Sequence, residues 1–567
     1  TLEDKHPTAP FPVFPDGAAA PPPLLFSHRD MTEAIRAFHE ASAPGATTLR
    51  PAHLRDAVLI PAGDHDHRIT TSLAEICSRL AAGNVPAEVA PWLAGAPIVP
   101  LCKKDGGIRP IAVGETLRRV VSRACCAKLK DSLPGLLLPF GQVGVGVPSG
   151  AEAAVLAVRE RLRQEHDRAG TAVLKVDIVN AFNSVSRQAL VRLVAQHVPQ
   201  LLPWVQLTYG CRPHLLCANA LLPFDSQRGV QQGDPLGPFL FALCLRPLCQ
   251  RLREALPNTL SVWYLDDGTL VGPVDEVRAG WDIIRDGLAE VGLEVNLGKT
   301  EWYSPGDLEP PMEGVVHVRD SGFSLLGSPI GDAEFCTRYT LTRVDKIAAA
   351  VSALGEVNDP QIELALLRHC LLMPKFNFAL RSTPPSFIRP AIEQFDQLVA
   401  DTWLARFGIS LTPLQSLQLS LPAPAGLGVT RAADVVAAAY LANVLSCQPV
   451  VDSLLGAHCP VESFLAFADT AREYSALARP ASLIAQLPRR EDPLADTRAI
   501  LDRLEDAEAV QRHLADKVHR SNGLTFRNTP HLAPRERLRV EAVSRSNATN
   551  ALVCPPIPAV GLRFSAD

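Results

Sequence analysis

With 567 residues, 47% hydrophobic and 20% charged, the chain is long enough for two to four globular domains and too apolar for a disordered protein. The 49 prolines announce long connections and many helix ends. A net charge of −5 argues against a chain that coats nucleic acid by overall charge, so such a role would have to rest on local basic segments.

The opening "HPTAPFPVFPDGAAAPPPLL" (6–25) is Pro/Ala-rich and reads as extended; the start at Thr1, with no secretory leader, is expected of a processed chain or a fragment. From Ser27, "SHRDMTEAIRAFHEA" has a capping residue followed by apolar positions at helical spacing. "AGDHDHR" (62–68) reads as an exposed loop; metal ligation by His65 and His67 is the less economical alternative. Residues 101–130 carry eight Lys/Arg against two acids, +6 in a chain of −5. There Lys103 and Lys104 precede an Asp-Gly-Gly hairpin signal, Arg109 follows it, and a helix with Arg118, Arg119 and Arg123 comes next. A basic hairpin backed by a basic helix suits phosphate oxygens, although a charge run can also be a solvated face. Cys125-Cys126 is the one close cysteine pair among 13, and no CxxC occurs, which fits reduced thiols and signals neither disulfide framework nor zinc.

"GQVGVGVPSG" (141–150) looks like a phosphate loop but lacks a Walker ending and a dinucleotide fingerprint. "TAVLKVDIVNAF" (171–182) is an apolar strand running to Asp177, with a helix from about Ser186. "RGVQQGDPLGPFLFALCLRPL" (228–248) is a polar turn feeding an apolar helix. "WYLDDGTLVG" (263–272) reads as a hairpin with Asp266 and Asp267 at its tip. An amphipathic helix, a Gly stop, a short strand and Lys299 follow. Beyond about 340 the sequence is Ala/Leu-rich and helical, and its most apolar run, 432–445, carries an Asp and falls short of a membrane span. The pattern predicts an α+β body followed by a mainly helical region.

Adjacent carboxylates in an apolar hairpin repel each other and resist desolvation. A plain Asp-Asp-Gly turn would account for that stretch alone. If the strand ending at Asp177 neighbours it, however, three acids meet at one sheet edge, and Mg²⁺ with substrate phosphates would compensate them. Two such ions about 3.5–4 Å apart serve nucleotidyl transfer.

The ordered motifs "KVDIVNAFNSV", "GVQQGDPLGPFLFAL", "WYLDDGTLVG" and "GLEVNLGKTEW" resemble the palm motifs of reverse transcriptases. "FHEASAPGATTLRPAHL", "VPLCKKDGGIRPIAVGETLRR" and "GVGVPSGAEAAVLAVR" resemble the fingers and preceding segment of the non-LTR (LINE-type) retrotransposon enzymes. This resemblance covers residues 39–330 and implies a right-hand polymerase: a Pro/Ala-rich extension (1–26), fingers with the preceding segment (27–170), a palm with an antiparallel sheet (171–335), a helical thumb (336–450) and an unassigned C-terminal region (451–567) that looks truncated. It implies that Asp177 and Asp266 hold metal, with the Ile178 carbonyl and Asp267 completing the set. Phe182 matches the aromatic gate that excludes a 2′-hydroxyl, with a core Phe as the plainer reading. Gln232 and Gly233 match the turn against nucleotide and template, and Lys103, Lys104 and Arg109 would hold the triphosphate. Lys299 matches the general acid for pyrophosphate, with a solvated Lys as its alternative. "FSLLGSPIG" (323–331) resembles the primer-grip hairpin.

The implied protein is an intracellular, nuclear RNA-directed DNA polymerase, with two Mg²⁺ ions (or Mn²⁺), an RNA template, a DNA primer or target, deoxynucleoside triphosphates and no membrane. Two rivals are a polymerase copying RNA into RNA, which Phe182 opposes, and a decayed or domesticated copy that only binds RNA, which the intact acids oppose. No nuclease module is legible. The charged stretch 487–514 reads as a solvated helix face, and 544–567 resembles the lead-in to a zinc-binding tail.

Overall fold

The computed structural model describes residues 1–15, 22–59, 67–103, 106–165, 167, 169–218, 220–357, 359–408, 410, 416, 419–421, 426–477 and 510–527. His65, Lys104, most of 487–514 and all of 544–567 lie outside the described residues. The described chain separates into two compact units: 1–150 with 165–317, and 151–164 with 318–567.

In the first unit the expected capping residue acts as one. The Ser27 hydroxyl and the Asp30 carboxylate cap each other's backbone N–H groups at the start of helix His28–Arg36. Strands β1 (Ala96–Cys102) and β2 (Ile108–Ala112) form the basic hairpin, with Leu101 opposite Arg109. β3 (Thr171–Val176), almost wholly buried, is the strand that leads to Asp177. β4 (Leu215–Cys217) and β5 (Ala220–Leu221) extend the sheet of β1 and β2 in the order β2-β1-β4-β5. β6 (Leu260–Tyr264) and β7 (Asp267–Pro273) form the acidic hairpin. With β8 (Glu301–Tyr303) and β9 (Val316–Val318) they build a five-stranded sheet ordered β6-β7-β3-β8-β9.

β3 lies antiparallel between β7 and β8. A central strand covered on both faces needs a continuous apolar run, which "TAVLKV" supplies between Thr171 at its start and Lys175 near its end. Helix Gly237–Ala255 packs on this core with Phe239, Leu240, Phe241 and Leu243 all buried. Helix Val274–Glu290 follows β7 and ends near Gly292, whose φ of 71° supplies the left-handed stop.

The second unit holds a hairpin and helices. β10 (Gly322–Leu325) and β11 (Ser328–Gly331) pair antiparallel across Leu326 and Gly327, both at positive φ as a tight two-residue hairpin turn requires. Asp332 then caps helix Ala333–Ser352. This helix and helices Met373–Ser382, Arg389–Phe407 and Ala432–Leu455 share a core in which Phe376 stacks on Phe395 at 4.6 Å. Helix Ala432–Leu455 is long and apolar enough to cross a membrane by composition alone. Here it is a core helix, with Tyr440, Leu441 and Asn443 fully buried.

Candidate active site

The register of the sheet decides which acids meet. Val176 pairs with Gly268, so the next step along each strand brings Asp177 to Asp267 at the same sheet end. Strand side chains alternate between faces, which puts Asp177, Asp267 and Lys175 on one side. Tyr264 pairs with Asp267 across the other ladder, leaving Leu265 and Asp266 as the hairpin loop. Leu265 has a φ of 58°, a left-handed conformation that disfavours a residue with a side chain.

The acids sense one another. Burial pushes the Asp266 carboxyl above its ordinary pKa, and Asp177 adds to the rise, while the Asp266 backbone, Arg109 and Lys103 oppose it. Asp267 is pushed up to about 6, by desolvation first and then by Asp266 and Asp177, with Lys175 opposing. Lys175 is itself committed to Glu301, with Nζ 2.6 Å from Oε2. The β1–β2 hairpin thus brings the exposed Lys103 and Arg109 into the field of Asp266.

Asp177 is held by groups that sequence reading missed. The Asn296 side chain donates to Asp177 Oδ2 at 2.9 Å, and its backbone N–H donates to the Asp177 carbonyl at 2.8 Å. The Asp177 N–H donates to the Thr300 hydroxyl at 3.2 Å. Ile178 is buried and pairs with Val295 in a single bridge that fixes its backbone beside Asp177. The exposed Lys299 sits between Asn296 and Thr300 in the same short turn, which carries it to the Asp177 side of the sheet. "NLGKT" was legible as the approach to Lys299, but only the fold reveals that its flanking polar residues grip the acid.

Phe182 is half-buried and stacks on Phe241, with ring centroids 4.7 Å apart and planes at 14°. One face therefore packs against the core, and the ring is held rigidly five residues beyond Asp177. Gln232 and Gly233 are stitched to β2, where the Ala112 N–H donates to the Gln232 carbonyl at 2.7 Å. Gly233 has a φ of 125°, and a Cβ there would lie 2.3 Å from the Ala112 carbonyl oxygen. Only glycine fits this approach.

Two expectations need correcting. The arginines of helix Thr116–Leu129 do not form a phosphate-facing surface. Arg118 is 1% exposed and pairs with the buried Asp234 at 2.9 Å. Arg119 bonds the Ala43 carbonyl, and Arg123 bonds the Ala37 carbonyl and covers the Phe38 ring. Arg118 lies at the helical spacing of Val121 and Cys125 and faces the core, while Arg119 and Arg123, four residues apart, share a second face that packs on Phe38, so helical periodicity outweighs the charge count. Nor is "GQVG" a phosphate cradle. It runs beside β6, where the Val143 N–H donates to the Trp263 carbonyl and the Trp263 N–H donates to the Gly141 carbonyl, each at 2.8 Å.

The misplaced arginine has a structural role. Arg118 also bonds Ala94 and Gln231, while the Tyr209 hydroxyl donates to Asp234 Oδ2 at 3.0 Å. Gln231 donates to the Ala94 carbonyl at 2.8 Å, and Arg187 gathers the Ser226, Arg228 and Gly229 carbonyls. These buried bonds fix the loop that presents Gln232 and Gly233.

Residues 101–330 match the family described as reverse transcriptase (RNA-dependent DNA polymerase). This region is a reverse transcriptase domain. It contains every site residue named above. Among curated relatives, the retrotransposable element SLACS 132 kDa protein of Trypanosoma brucei gambiense is 25% identical over 241 residues, 42% of this chain and 20% of that protein. Protein P of hepatitis B virus genotype H is 31% identical over 97 residues, 17% of this chain and 11% of that protein. The chain thus spans a fifth or less of the length of these two relatives. Telomerase from Candida albicans, solved with a TWJ fragment of telomeric RNA, aligns over 78% of this chain and 69% of its own, at 11% identity and a TM-score of 0.38.

Proposed function

We propose that the chain is an RNA-directed DNA polymerase of retrotransposon type, extending a DNA 3′-hydroxyl along an RNA template in the nucleus. The observation that carries this reading is the meeting of Asp177 with Asp266 and Asp267 at one sheet end, inside a reverse transcriptase domain and facing Lys103 and Arg109. The retrotransposable-element relative supports element RNA as the template.

The acids suit a divalent cation. Burial raises the pKa of Asp266 and Asp267, and neighbouring acids add to it, Asp177 at Asp266 and both Asp266 and Asp177 at Asp267, as expected of negative charge short of a counter-ion. Among the described residues no three His, Cys, Asp or Glu side chains form a ready-made cage. Mg²⁺ needs only one or two carboxylates and completes its shell with water and substrate phosphate. In this reading Asp177 and Asp266 hold two Mg²⁺ ions (Mn²⁺ being an alternative), with the Ile178 carbonyl and Asp267 lending further oxygen. When bound, the ions lower the pKa of the primer hydroxyl and stabilise the leaving pyrophosphate.

The protein's own residues do the rest. Arg109, with Lys103 and Lys104, binds the triphosphate; the Arg fork suits its oxygens. Phe182, braced on Phe241, lies under the sugar and leaves no room for a 2′-hydroxyl. Gln232 and Gly233 orient nucleotide and template base, and Lys299 supplies a proton to pyrophosphate. The β10–β11 hairpin is assigned to the primer strand.

The test is extension of a DNA primer on RNA with deoxynucleotides and Mg²⁺, comparing wild type with Asp177→Asn. Extension lost in a variant that still binds template supports the reading. Template binding without extension by either protein would favour a copy that only binds RNA.

A further inference from the structure

Gln142 is a wholly buried polar side chain on the free edge of β6, and the polymerase roles above leave it unused. Backbone pairing between 141–143 and β6 stops at Trp263. Beyond that point the Gln142 amide takes over. Its Oε1 accepts from the Leu265 N–H at 2.8 Å and from the Gly144 N–H at 3.1 Å, and its Nε2 donates to the Leu265 carbonyl at 3.2 Å. Two N–H groups converging on one atom require that atom to be the oxygen, so the amide's orientation is determined.

The side chain therefore imitates a peptide group and satisfies both backbone groups of Leu265. That residue has left-handed backbone, a conformation that a residue with a Cβ keeps only where its surroundings enforce it. Asp266 is the next residue. The flanking glycines allow the approach: a Cβ on Gly141 would lie 2.2 Å from the Ser261 carbonyl oxygen, and one on Gly144 would lie 2.6 Å from the Leu265 nitrogen.

We infer that Gln142 is a positioning residue, which clamps Leu265 in its left-handed turn and thereby fixes the Asp266 carboxylate where the divalent cation binds. The inference rests on the polymerase reading of Asp266. Groups that orient metal ligands typically change metal affinity by about 10–100-fold when removed. Since Gln142 acts through the backbone, the low end applies.

The experiment measures Mg²⁺-dependent thermal stabilisation of the full chain without nucleotide, in wild type and Gln142→Met, which keeps the volume and removes the three hydrogen bonds. A core variant remote from the hairpin, Leu193→Ala, controls for lost stability. Gln142→Met should raise the Mg²⁺ midpoint about tenfold, while affinity for an RNA–DNA template–primer in EDTA changes less than about twofold. Leu193→Ala should lower the melting temperature and leave the midpoint in place. Should the Met variant not fold, Gln142→Asn keeps a neutral amide but draws it back by one methylene, so that it cannot reach both backbone groups of Leu265, and its midpoint should also rise. A folded variant with the wild-type midpoint overturns the inference alone. A wild type indifferent to Mg²⁺ overturns the polymerase reading with it.

Discussion

Replacing Arg118 with Met tests whether a buried charge organises the nucleotide-facing loop. The guanidinium is 1% exposed and its partner Asp234 2%. In Arg118→Met the Asp234 carboxylate keeps the Tyr209 hydroxyl and the Leu236 N–H, at 3.0 Å each, but has no cation. The Ala94 carbonyl and Gln231 Oε1 each lose a donor. Removing one partner of a buried pair costs about 3–5 kcal/mol, most of it from the charge left behind. Against a total stability of about 5–15 kcal/mol, that is a large share of the margin. Urea unfolding followed by the fluorescence of buried Trp204, Trp263 and Trp302 reads the loss. Removing both charges, as in Arg118→Met with Asp234→Leu, should recover more than half of it, because an apolar pair replaces the ions without stranding either. A single-variant loss below about 1 kcal/mol, well under the cost of breaking a buried pair, would refute the argument, as would a double variant whose losses simply add.

Other consequences follow from single contacts. Phe182→Val should raise ribonucleotide incorporation relative to deoxynucleotide at least about tenfold, about 1.4 kcal/mol of discrimination, and unchanged selectivity would return Phe182 to a purely core role. Gly233→Ala forces a Cβ against the Ala112 carbonyl at positive φ, so it should cost about 1–3 kcal/mol and slow extension; a neutral result would mean that the loop adjusts freely. Asp267 has a folded pKa of about 6 against an ordinary 3.8. The folded state thus keeps a proton that the unfolded chain sheds between those values, and stability falls as pH rises through that window. In EDTA, Asp267→Asn should melt higher than wild type at pH 7.5, and the gain should vanish below about pH 3, where the wild-type carboxyl is protonated in both states; a pH-independent difference would contradict the coupling.

Much of the first unit could be read from residue order. The apolar run to Asp177, the Asp-Asp-Gly hairpin and the Ser27 cap are local signals, and the structure forms each of them. The pairing of β3 with β7 could not be read, because residues 89 positions apart carry no local mark of adjacency. The arginines of the helix after the basic hairpin misled because charge was counted without its period. At the spacing of Val121 and Cys125, Arg118 faces inward, and its partner Asp234 sits in a stretch that reads only as a turn. Gln142 was hidden for a related reason. Glycines on either side suggested a phosphate cradle, whereas their small size lets one strand edge approach another. Asn296 and Thr300 stayed invisible because polar side chains that grip an acid look like those of any loop.

The most direct test of the account is single-nucleotide extension of a DNA primer on RNA template, with deoxynucleotide and Mg²⁺, by wild type and Asp266→Asn side by side. The account predicts incorporation by the wild type and its loss in a variant that folds, binds template–primer as tightly and, in EDTA, is no less stable for having shed a crowded charge. Incorporation at the wild-type rate by Asp266→Asn would contradict the assignment of the acidic hairpin as the catalytic centre.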